Sequence, residues 1–398
     1  MQLMANGPIR ILISTGEVSG DLQGALLIDA LRRRAAAAQI DLDIVALGGD
    51  RMAEAGATLL ANTSGIGSVG LIESLPFVMP TLKIQRQVQR YLQEHPVDAT
   101  VLIDYMGPNL RLGSYLKQTF PALPLIYYIA PQEWVWSIGM KNTARLVQAT
   151  DRLLAIFPEE ARYYRAHGAD VTWVGHPIVD HVKRLPSRAE ARQQLGIADH
   201  EQAIALLPAS RRQEIVTLVP IIFEAAARLQ AEQPDLTFWV PVSLPQYRPQ
   251  LERAIQRFGL RAALVDQKPQ LVIAAADLAI SKSGTANLET ALMDVPQLVL
   301  YRVNPFTFWV ARRLLQFSIP FMSPANLTVM ESIVPEFMQG EATPDRIVQT
   351  ARQLLSDASA RDKMRAGYSR MRQALGEPGA CDRAAESILD HIEGSMSL

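Results

Sequence analysis

The run from residue 281 to residue 289 reads SKSGTANLE, and these residue types suit a phosphate bound beside a sugar. It follows a short apolar run at 278–280 and leads into a predicted helix at 286–293. A turn of small residues between a strand and a helix leaves backbone N–H groups uncovered at the positive end of the helix dipole, which attracts anions. Glu289 lies one turn further on, where a carboxylate suits the two hydroxyls of a ribose. The pattern is typical of a nucleotide site, although serine and threonine in such a turn also serve simply as helix caps.

A second candidate loop follows the predicted strand at 9–14 and reads GEVSGD from Gly16 to Asp21. Its glycine spacing does not fit the G-x-G-x-x-G dinucleotide fingerprint, which disfavours a dehydrogenase, and no lysine follows as in a P-loop. The carboxylates of Glu17 and Asp21 would repel a phosphate but suit sugar hydroxyls. Two interpretations stay open: contact with a ligand, or capping of the next helix by Ser19 or Asp21.

An aspartate ends another predicted strand, since Asp104 directly follows the apolar run at 100–103. Ligands of open parallel α/β sheets bind at the carboxyl ends of the strands, so we expect Asp104 to face a ligand site. A carboxylate there can take a proton from a hydroxyl nucleophile. The alternative is that Asp104 only caps the helix that follows.

An arginine stands just past the predicted strand at 203–207, in a loop that contains Ser210 and Arg211. The planar group of donors on Arg211 suits a diphosphate and can stabilise a leaving nucleotide. The alternative is a surface arginine paired with Glu214.

The spacing of potential metal ligands argues against a metal site. Asp41 and Asp43 form the one D-x-D motif, but they precede the strand at 44–47 instead of following it. His176 and His181 lack a carboxylate or cysteine partner at ligand spacing. We therefore predict no metal and no cofactor.

Two aromatic segments each allow two interpretations. Trp134 and Trp136 point the same way if the chain is extended, which suits a core corner or a platform for an acyl chain or sugar. The segment 305–317 mixes aromatic residues with paired arginines, and Phe306, Trp309, Val310, Leu314 and Phe317 fall on one helical face. It is typical of a buried helix or of a surface for membrane and acyl-chain contact.

These residues need a scaffold of alternating strands and helices. The apolar runs are short and mostly without polar alternation, as in parallel sheets covered on both faces. Repeated βα units imply parallel strands with right-handed crossovers, and two series of them predict an α/β fold of two Rossmann-like domains facing a central cleft. We expect an N-terminal domain at 1–177, a C-terminal domain at 178–365, and C-terminal helices at 366–398. These helices pack back on the first domain or, as the alternative, across a partner subunit. The predicted strands are 9–14, 44–47, 100–103, 125–129, 153–156, 171–174, 203–207, 237–242, 262–265, 278–280 and 297–301.

The bulk composition narrows the class of protein. The 398 residues carry a formal net charge of −1, which gives no overall attraction to nucleic acid. Cys381 is the single cysteine, so no internal disulfide can form, which fits a reducing cytoplasm. The sequence shows no signal-peptide pattern and no apolar run near the roughly 18 residues that span a bilayer. We expect a protein that is soluble or lies on a membrane surface.

In their order along nearly the whole chain, these segments resemble the lipid-A-disaccharide synthase family, glycosyltransferase family 19, which has the GT-B fold. The motifs that carry the resemblance are GEVSGD at 16–21, ID and NL at 103–104 and 109–110, PQEWVW at 131–136, VGHP at 174–177, LPASR with EI at 207–215, SGTA with LE at 283–289, YR with PFT at 301–307, and NL with VPE and Q at 326–339.

The resemblance implies an inverting transfer from UDP-2,3-diacylglucosamine to 2,3-diacylglucosamine 1-phosphate, giving a β-1,6-linked disaccharide 1-phosphate and UDP. It implies Asp104 as the general base and Arg211 as the residue that contacts the diphosphate. It also implies a peripheral position on the inner face of the cytoplasmic membrane, no metal and no nucleic acid, and leaves a homodimer open. The other substrate-binding residues that it implies are Glu17, Ser19, Gly20, Asn109, Ser210, Ser283, Gly284, Thr285, Glu289, Asn326 and Gln339.

Three positions depart from the family pattern. Gly107 stands where the family has a second carboxylate, Ala209 replaces a glycine, and Glu331 replaces a basic residue. Two alternatives therefore stay open: another UDP-sugar transferase of the GT-B fold with a different lipid acceptor, and a catalytically silent relative that binds UDP-sugar.

Overall fold

The computed structural model describes residues 7–16, 18–63, 78–135, 140–208, 212–266, 268–302 and 321–396. The chain divides into two compact units, of which one is Met1–Asp180 with Leu375–Leu398 and the other is His181–Ala374. Each unit is built around one parallel sheet, with seven strands in the first and six in the second among the described residues.

The first sheet has the strand order β3-β2-β1-β4-β5-β6-β7. Its central strands are apolar and buried almost throughout because helices cover both faces, as the lack of alternation predicts. The strands are β1 (Ile9–Ser14), β2 (Leu42–Gly48), β3 (Thr58–Asn62), β4 (Ala99–Ile103), β5 (Leu125–Tyr128), β6 (Arg152–Ala155) and β7 (Val171–Trp173).

The second sheet has the order β10-β9-β8-β11-β12-β13, and its neighbouring strands are again parallel. Every predicted strand is present, with small shifts at the ends, but β3 and β13 were not predicted. The strands are β8 (Gln202–Leu207), β9 (Leu236–Val242), β10 (Ala262–Asp266), β11 (Leu278–Lys282), β12 (Gln297–Tyr301) and β13 (Glu336–Met338).

Helices connect the strands, as parallel pairing requires. They are α1 (Val18–Ala37), α2 (Asp50–Glu54), α3 (Val78–Glu94), α4 (Met106–Thr119), α5 (Met140–Ala149), α6 (Pro158–Ala166), α7 (Ile178–Val182), α8 (Arg188–Leu195), α9 (Arg212–Glu232), α10 (Arg248–Phe258), α11 (Pro269–Ala275), α12 (Ala286–Leu292), α13 (Pro324–Val329), α14 (Pro344–Ser356), α15 (Ala358–Leu375) and α16 (Ala380–Met396). Short 3₁₀ turns occupy Pro245–Tyr247 and Gln339–Glu341.

The last helix, α16, returns to the first unit and packs beside α1. Its apolar side, which includes Ala384 and Ile388, is fully buried. At the edge of this contact Arg33 lies 2.8 Å from Asp382, an exposed ion pair that contributes little to stability. The apolar burial therefore holds the C-terminus to the first sheet.

Candidate functional site

Each sheet has one place where two neighbouring strands both lead into a predicted motif, which accounts for four of the motifs. In the first unit β1 pairs with β4, and in the second β8 pairs with β11. Strand order changes direction at both places. The connections on the two sides of such a point run to opposite faces of the sheet and leave a crevice where ligands bind. The GEVSGD loop and Asp104 follow β1 and β4, while the LPASR loop and the SKSGT turn adjoin the ends of β8 and β11.

Asp104 is half-buried at the carboxyl end of β4, and its main chain is firmly held. Asp104 and Tyr105 adopt φ values of 44° and 52°, a left-handed conformation that is uncommon for residues other than glycine. The N–H of Asp104 donates to the carbonyl of Ile129 at 3.0 Å. Its carbonyl accepts from the hydroxyl of Tyr127 at 2.8 Å and from Nδ2 of Asn109 at 2.9 Å. These hydrogen bonds compensate for the strained backbone and fix the base of the Asp104 side chain.

Asn109 is fully buried and binds the protein's own backbone. Its Nδ2 also donates to the carbonyls of Ser14 at 3.1 Å and Ile103 at 3.0 Å. Its Oδ1 accepts from the Ser14 hydroxyl at 2.7 Å. Asn109 therefore joins the ends of β1 and β4 beside Asp104, and its contact with substrate stays a prediction.

The glycines of the first loop allow a close approach of the chain. A Cβ atom at Gly20 would lie 1.8 Å from Oγ1 of Thr15, and one at Gly16 would lie 2.0 Å from the ring of Tyr105. A larger residue at Gly16 would force the loop away from Tyr105 after β4, and one at Gly20 would force the start of α1 away from Thr15 after β1. Ser19 is half-buried in the first turn of α1, and Glu17 lies outside the described residues.

Asp21 settles one of the interpretations left open by the sequence. Its carboxylate accepts from the N–H groups of Gly49 at 2.7 Å, Met52 at 3.2 Å and Arg51 at 3.3 Å. Asp21 therefore caps a helix, but not the one that the capping interpretation named. The helix is α2, far along the chain, and not the one that Asp21 begins.

The turn at 283–285 is shaped by hydrogen bonds within the second unit. The N–H of Ser283 donates to the carbonyl of Leu300 at 2.9 Å, and the N–H of Gly284 donates to Oδ1 of Asn287 at 2.9 Å. The expectation of uncovered amides is therefore wrong at Ser283 and Gly284. The Ser283 hydroxyl donates to the carbonyl of Met322 at 2.5 Å.

Sequence reasoning missed two residues of this turn, Asn287 and Lys282. Asn287 is fully buried, and its Nδ2 donates to the Ser281 hydroxyl at 2.7 Å and to the carbonyl of Lys282 at 3.1 Å. Nζ of Lys282 lies 3.1 Å from Oε1 of Glu214, near the start of α9. An asparagine three residues after a turn glycine is a signal for side-chain bracing of the turn.

Glu289 is buried on α12, and its carboxylate contacts Gln270 and His181 within the second unit. Oε1 accepts from Nε2 of Gln270 at 3.0 Å and lies 3.6 Å from Nε2 of His181. These contacts orient the carboxylate of Glu289 within the second unit. His181, considered in the sequence only as a metal ligand, is thus a neighbour of the predicted ribose-binding group.

Asn326 and Gln339 lie on either side of β13. Asn326 Oδ1 accepts from the N–H groups of Ile333 at 2.8 Å and Val334 at 2.9 Å, and its Nδ2 donates to the Val334 carbonyl at 3.0 Å. Asn326 therefore holds the loop that enters β13, while Gln339 directly follows that strand with φ of 51°. Their contact with UDP stays a prediction.

Several predicted features lie outside the described residues. They are Glu17, Ser210, Arg211, Trp136 and the segment 305–317.

Two of the departures from the family pattern have clear surroundings. Gly107 is exposed in the first turn of α4, and a Cβ atom there would meet nothing within 4 Å. Glu331 lies 2.7 Å from Arg370 in an exposed ion pair, so a cation lies beside the position where the family carries one.

A cavity of about 350 Å³ in the first unit lies away from these residues. It is lined mainly by apolar side chains such as Leu92, Phe120 and Leu123, beside the amino ends of β4 and β5. Because ligands of such sheets bind at the carboxyl ends, we do not assign this cavity to the site. No helix in the described part of the chain is both long and apolar enough to cross a bilayer.

Solved structures share this architecture at low sequence identity. A UDP-GlcNAc 2-epimerase from Neisseria meningitidis, solved with UDP-GlcNAc, has a TM-score of 0.66 and 13% identity, covering 96% of this chain and 100% of that one. A glycosyltransferase from Rickettsia africae has a TM-score of 0.56 and 12% identity, covering 97% and 99%. The likeness is one of fold, and it confirms the predicted class of two parallel-sheet α/β domains.

Sequence relatives are far more similar. Lipid-A-disaccharide synthase of Gloeothece citriformis is 54% identical over 96% of this chain and 100% of that protein. The enzymes of the same name from a Synechocystis species and from Myxococcus xanthus are 53% and 38% identical, over 98% and 97% of this chain and 99% and 98% of their own lengths. The family model for lipid-A-disaccharide synthetase matches residues 11–391. By this match over nearly its whole length, the chain belongs to the lipid-A-disaccharide synthetase family.

Proposed function

We propose that this protein transfers diacylglucosamine from UDP-2,3-diacylglucosamine to 2,3-diacylglucosamine 1-phosphate. The acceptor's 6-hydroxyl oxygen bonds to the anomeric carbon of the donor as the bond from that carbon to UDP breaks. The hydroxyl proton passes to Asp104, and UDP leaves with the bonding electrons. Direct displacement inverts the configuration and gives a β-1,6-linked disaccharide 1-phosphate. Family membership supports the reaction, and the site residues support the individual roles.

The observation that carries the proposal is the fixed main chain of Asp104 at the carboxyl end of β4. A general base must lie within hydrogen-bond reach of the proton that it takes, and a rigid attachment limits the loss of alignment. In the neighbouring glycine loop, Gly16 lies close to Tyr105, the residue after Asp104. In our proposal this loop and Glu17 contact the hydroxyls of the sugar.

The donor's UDP binds, in our proposal, at the carboxyl ends of β8 and β11. Glu289 accepts hydrogen bonds from the ribose hydroxyls, while Ser210 and Arg211 contact the diphosphate. Because the Ser283 and Gly284 amides already have partners, we propose that they shape the turn and that Thr285 supplies a contact with UDP. Lys282 adds positive charge at the same strand end, and Asn326 and Gln339 line the nucleotide site.

We further propose that the protein works at the inner face of the cytoplasmic membrane, since both substrates carry acyl chains. The segment 305–317 contains the aromatic and basic residues typical of an interfacial helix. Replacing Phe308 and Trp309 with serine should reduce binding to vesicles of anionic phospholipid. Equal binding by a soundly folded variant would show that this segment does not carry the contact.

The reaction is tested by incubating the purified protein with both diacylglucosamine substrates in detergent, without added metal. We expect one UDP and one disaccharide 1-phosphate for each turnover, measured by mass spectrometry. UDP release without disaccharide would contradict the acceptor assignment, to which the Gly107 and Glu331 departures are relevant. If the protein binds the UDP-sugar donor but forms no free UDP from it, the protein is a catalytically silent relative.

A further inference from the structure

A buried carboxylate connects two loops of the first sheet. Glu160 is 1% exposed, and its Oε2 accepts from the N–H groups of Ile156 at 2.8 Å and Phe157 at 3.2 Å. These two bonds cap the start of α6, the helix on which Glu160 lies. Its other oxygen, Oε1, accepts from the N–H of Ala130 at 2.9 Å, in the loop that leaves β5. Glu160 therefore ties the exit of β5 to the exit of β6.

The residue next to Ala130 has a strained backbone. Ile129 adopts φ of 61°, a true outlier for a β-branched side chain, at a cost of about 1–3 kcal/mol. Its N–H donates to the carbonyl of Leu154 at 3.2 Å, and its carbonyl accepts from the N–H of Asp104 at 3.0 Å. The Ala130–Glu160 bond follows directly along the chain, so it helps to hold Ile129 in this conformation.

We infer that Glu160 is a positioning residue for the transfer reaction: by holding Ala130, it keeps the carbonyl of Ile129 directed at the N–H of Asp104. This inference rests on the proposed role of Asp104 as the base. Loss of the Glu160–Ala130 bond lets Ile129 relax toward negative φ, which turns its carbonyl away. Asp104 then loses the hydrogen bond from its N–H group to Ile129 and its alignment with the acceptor hydroxyl.

A glutamate that only caps a helix does not need to be buried as Glu160 is. Glu190 occupies the equivalent position in α8, where it accepts from the N–H of Ser187 at 2.8 Å while remaining exposed. Glu160 is instead withdrawn from water, which is costly for a carboxylate. Burial, with a smaller contribution from the charge of Asp104, raises the pKa of Glu160 to about 7. The hydrogen bond to Ala130, in the loop after β5, accounts for the burial of the Glu160 carboxylate despite this cost.

The decisive variant is Glu160→Asp, which keeps a carboxylate at the start of α6 but is one methylene too short to reach Ala130 as well. Glu190→Asp makes the same change in the exposed cap and is the matched control. We expect Glu160→Asp to lower kcat about tenfold to a hundredfold, the scale of a small misalignment, while KM for the donor changes less than about twofold. Glu190→Asp should leave kcat unchanged.

Two further measurements separate positioning from a general loss of structure. UDP affinity, measured by calorimetry below the melting temperature, should be the same in Glu160→Asp and the unmodified protein. Adding Ile129→Gly to Glu160→Asp should restore part of the lost kcat, because glycine adopts positive φ without the Glu160 link. A folded Glu160→Asp protein with kcat within about twofold of the unmodified protein would overturn the inference, as would a loss of kcat that Ile129→Gly does not reduce.

Comparing Asp104→Asn with Glu160→Asp distinguishes failure of the positioning role of Glu160 from failure of the proposed function. If Asp104→Asn retains full turnover, the base is another residue and the proposed role of Asp104 fails. If Asp104→Asn is inactive but Glu160→Asp turns over normally, the base stands and only the positioning role fails.

Discussion

Asn109 and Ser14 exchange two hydrogen bonds between neighbouring strand ends. Nδ2 of Asn109 donates to the carbonyl of Ser14 at 3.1 Å, and the Ser14 hydroxyl donates to Oδ1 of Asn109 at 2.7 Å. The same amide reaches the carbonyl of Asp104. One buried side chain therefore joins the glycine loop after β1 to the proposed base after β4.

Replacing Asn109 with alanine should lower both stability and turnover. The change removes three hydrogen bonds that Asn109 donates and one that it accepts at a buried position, which costs about 3 kcal/mol in the free energy of unfolding. The amide of Asn62 is exposed and bonds to Asp50, so Asn62→Ala serves as the control. Urea unfolding followed by circular dichroism measures the difference, and equal midpoints for the two variants would contradict this account of Asn109.

Asp104→Asn should lose turnover and keep its affinity for UDP. An amide cannot take the acceptor's proton, and loss of a general base typically lowers kcat by about 10² to 10⁴. UDP affinity should not change, since the proposed nucleotide residues lie in the other unit. Asp199→Asn changes an exposed aspartate and should be neutral. Unchanged kcat in Asp104→Asn would remove Asp104 as the base.

Glu289→Gln should weaken the binding of UDP and abolish discrimination against 2′-deoxy-UDP. A hydrogen bond to a charged group contributes about 1.5–3 kcal/mol, so the dissociation constant should rise roughly tenfold or more. The variant should bind UDP and 2′-deoxy-UDP almost equally in calorimetry. A variant that still prefers the ribose form as strongly as the unmodified protein would show that another group binds the hydroxyls.

Gly107→Asp restores the second carboxylate of the family motif and should be tolerated. The position has open space and lies in the first turn of α4, where a negative charge is favourable at the helix N-terminus. We expect the free energy of unfolding to rise by about 0.5–1 kcal/mol, because glycine is also a poor helix former. Gly168→Asp is the control, since space is equally open there but φ of 86° makes the change unfavourable. Thermal unfolding that ranks the two variants in the opposite order would refute this expectation.

His176 should make stability sensitive to acid. It is 5% exposed, and burial lowers its pKa to about 3. Its Nδ1 accepts from the N–H of Ile178 at 3.0 Å, so the neutral ring is the form that fits. The pKa of His176 is lower in the folded state than in the unfolded state. The contribution of its neutral ring to the free energy of unfolding is therefore complete above about pH 6.5 and declines as the pH falls toward 3.

The size of the effect follows from the same linkage. Between pH 7 and pH 4.5, protonation of His176 should lower the free energy of unfolding of the unmodified protein by about 3 kcal/mol. His176→Asn, which keeps an acceptor near Nδ1, should lack this part of the acid sensitivity, whereas His200→Asn at an exposed position should retain it. Urea midpoints at pH 7 and 4.5 measure the difference. Equal acid sensitivity in His176→Asn and the unmodified protein would contradict the buried neutral ring.

The sequence alone determined the interior strands and the residues that end them. Continuous apolar runs such as those of β1 and β4 require a sheet covered on both faces, and the residue after each run must emerge at its carboxyl edge. Asp104 and the SKSGT turn were therefore locatable from local pattern. The strands β3 and β13 were not, since β3 is only partly buried and begins and ends with the polar Thr58 and Asn62, and β13 is three residues long and begins with Glu336. The edge strands β7 and β10 were predicted, so a short or polar run, and not the edge position by itself, is what conceals a strand.

Only the tertiary structure decided the partners of the site residues. Glu160 meets Ala130 across 30 residues of sequence, and Asn109 meets Ser14 across 95. Asp21 likewise looked as suitable for sugar hydroxyls as for a cap until the amide groups of α2 were found at its carboxylate. A hydrogen bond depends on distance and angle in space, which local periodicity does not encode. The sequence therefore determined which groups stand at the strand ends, and the packing of the sheets determined which of them hold one another in position.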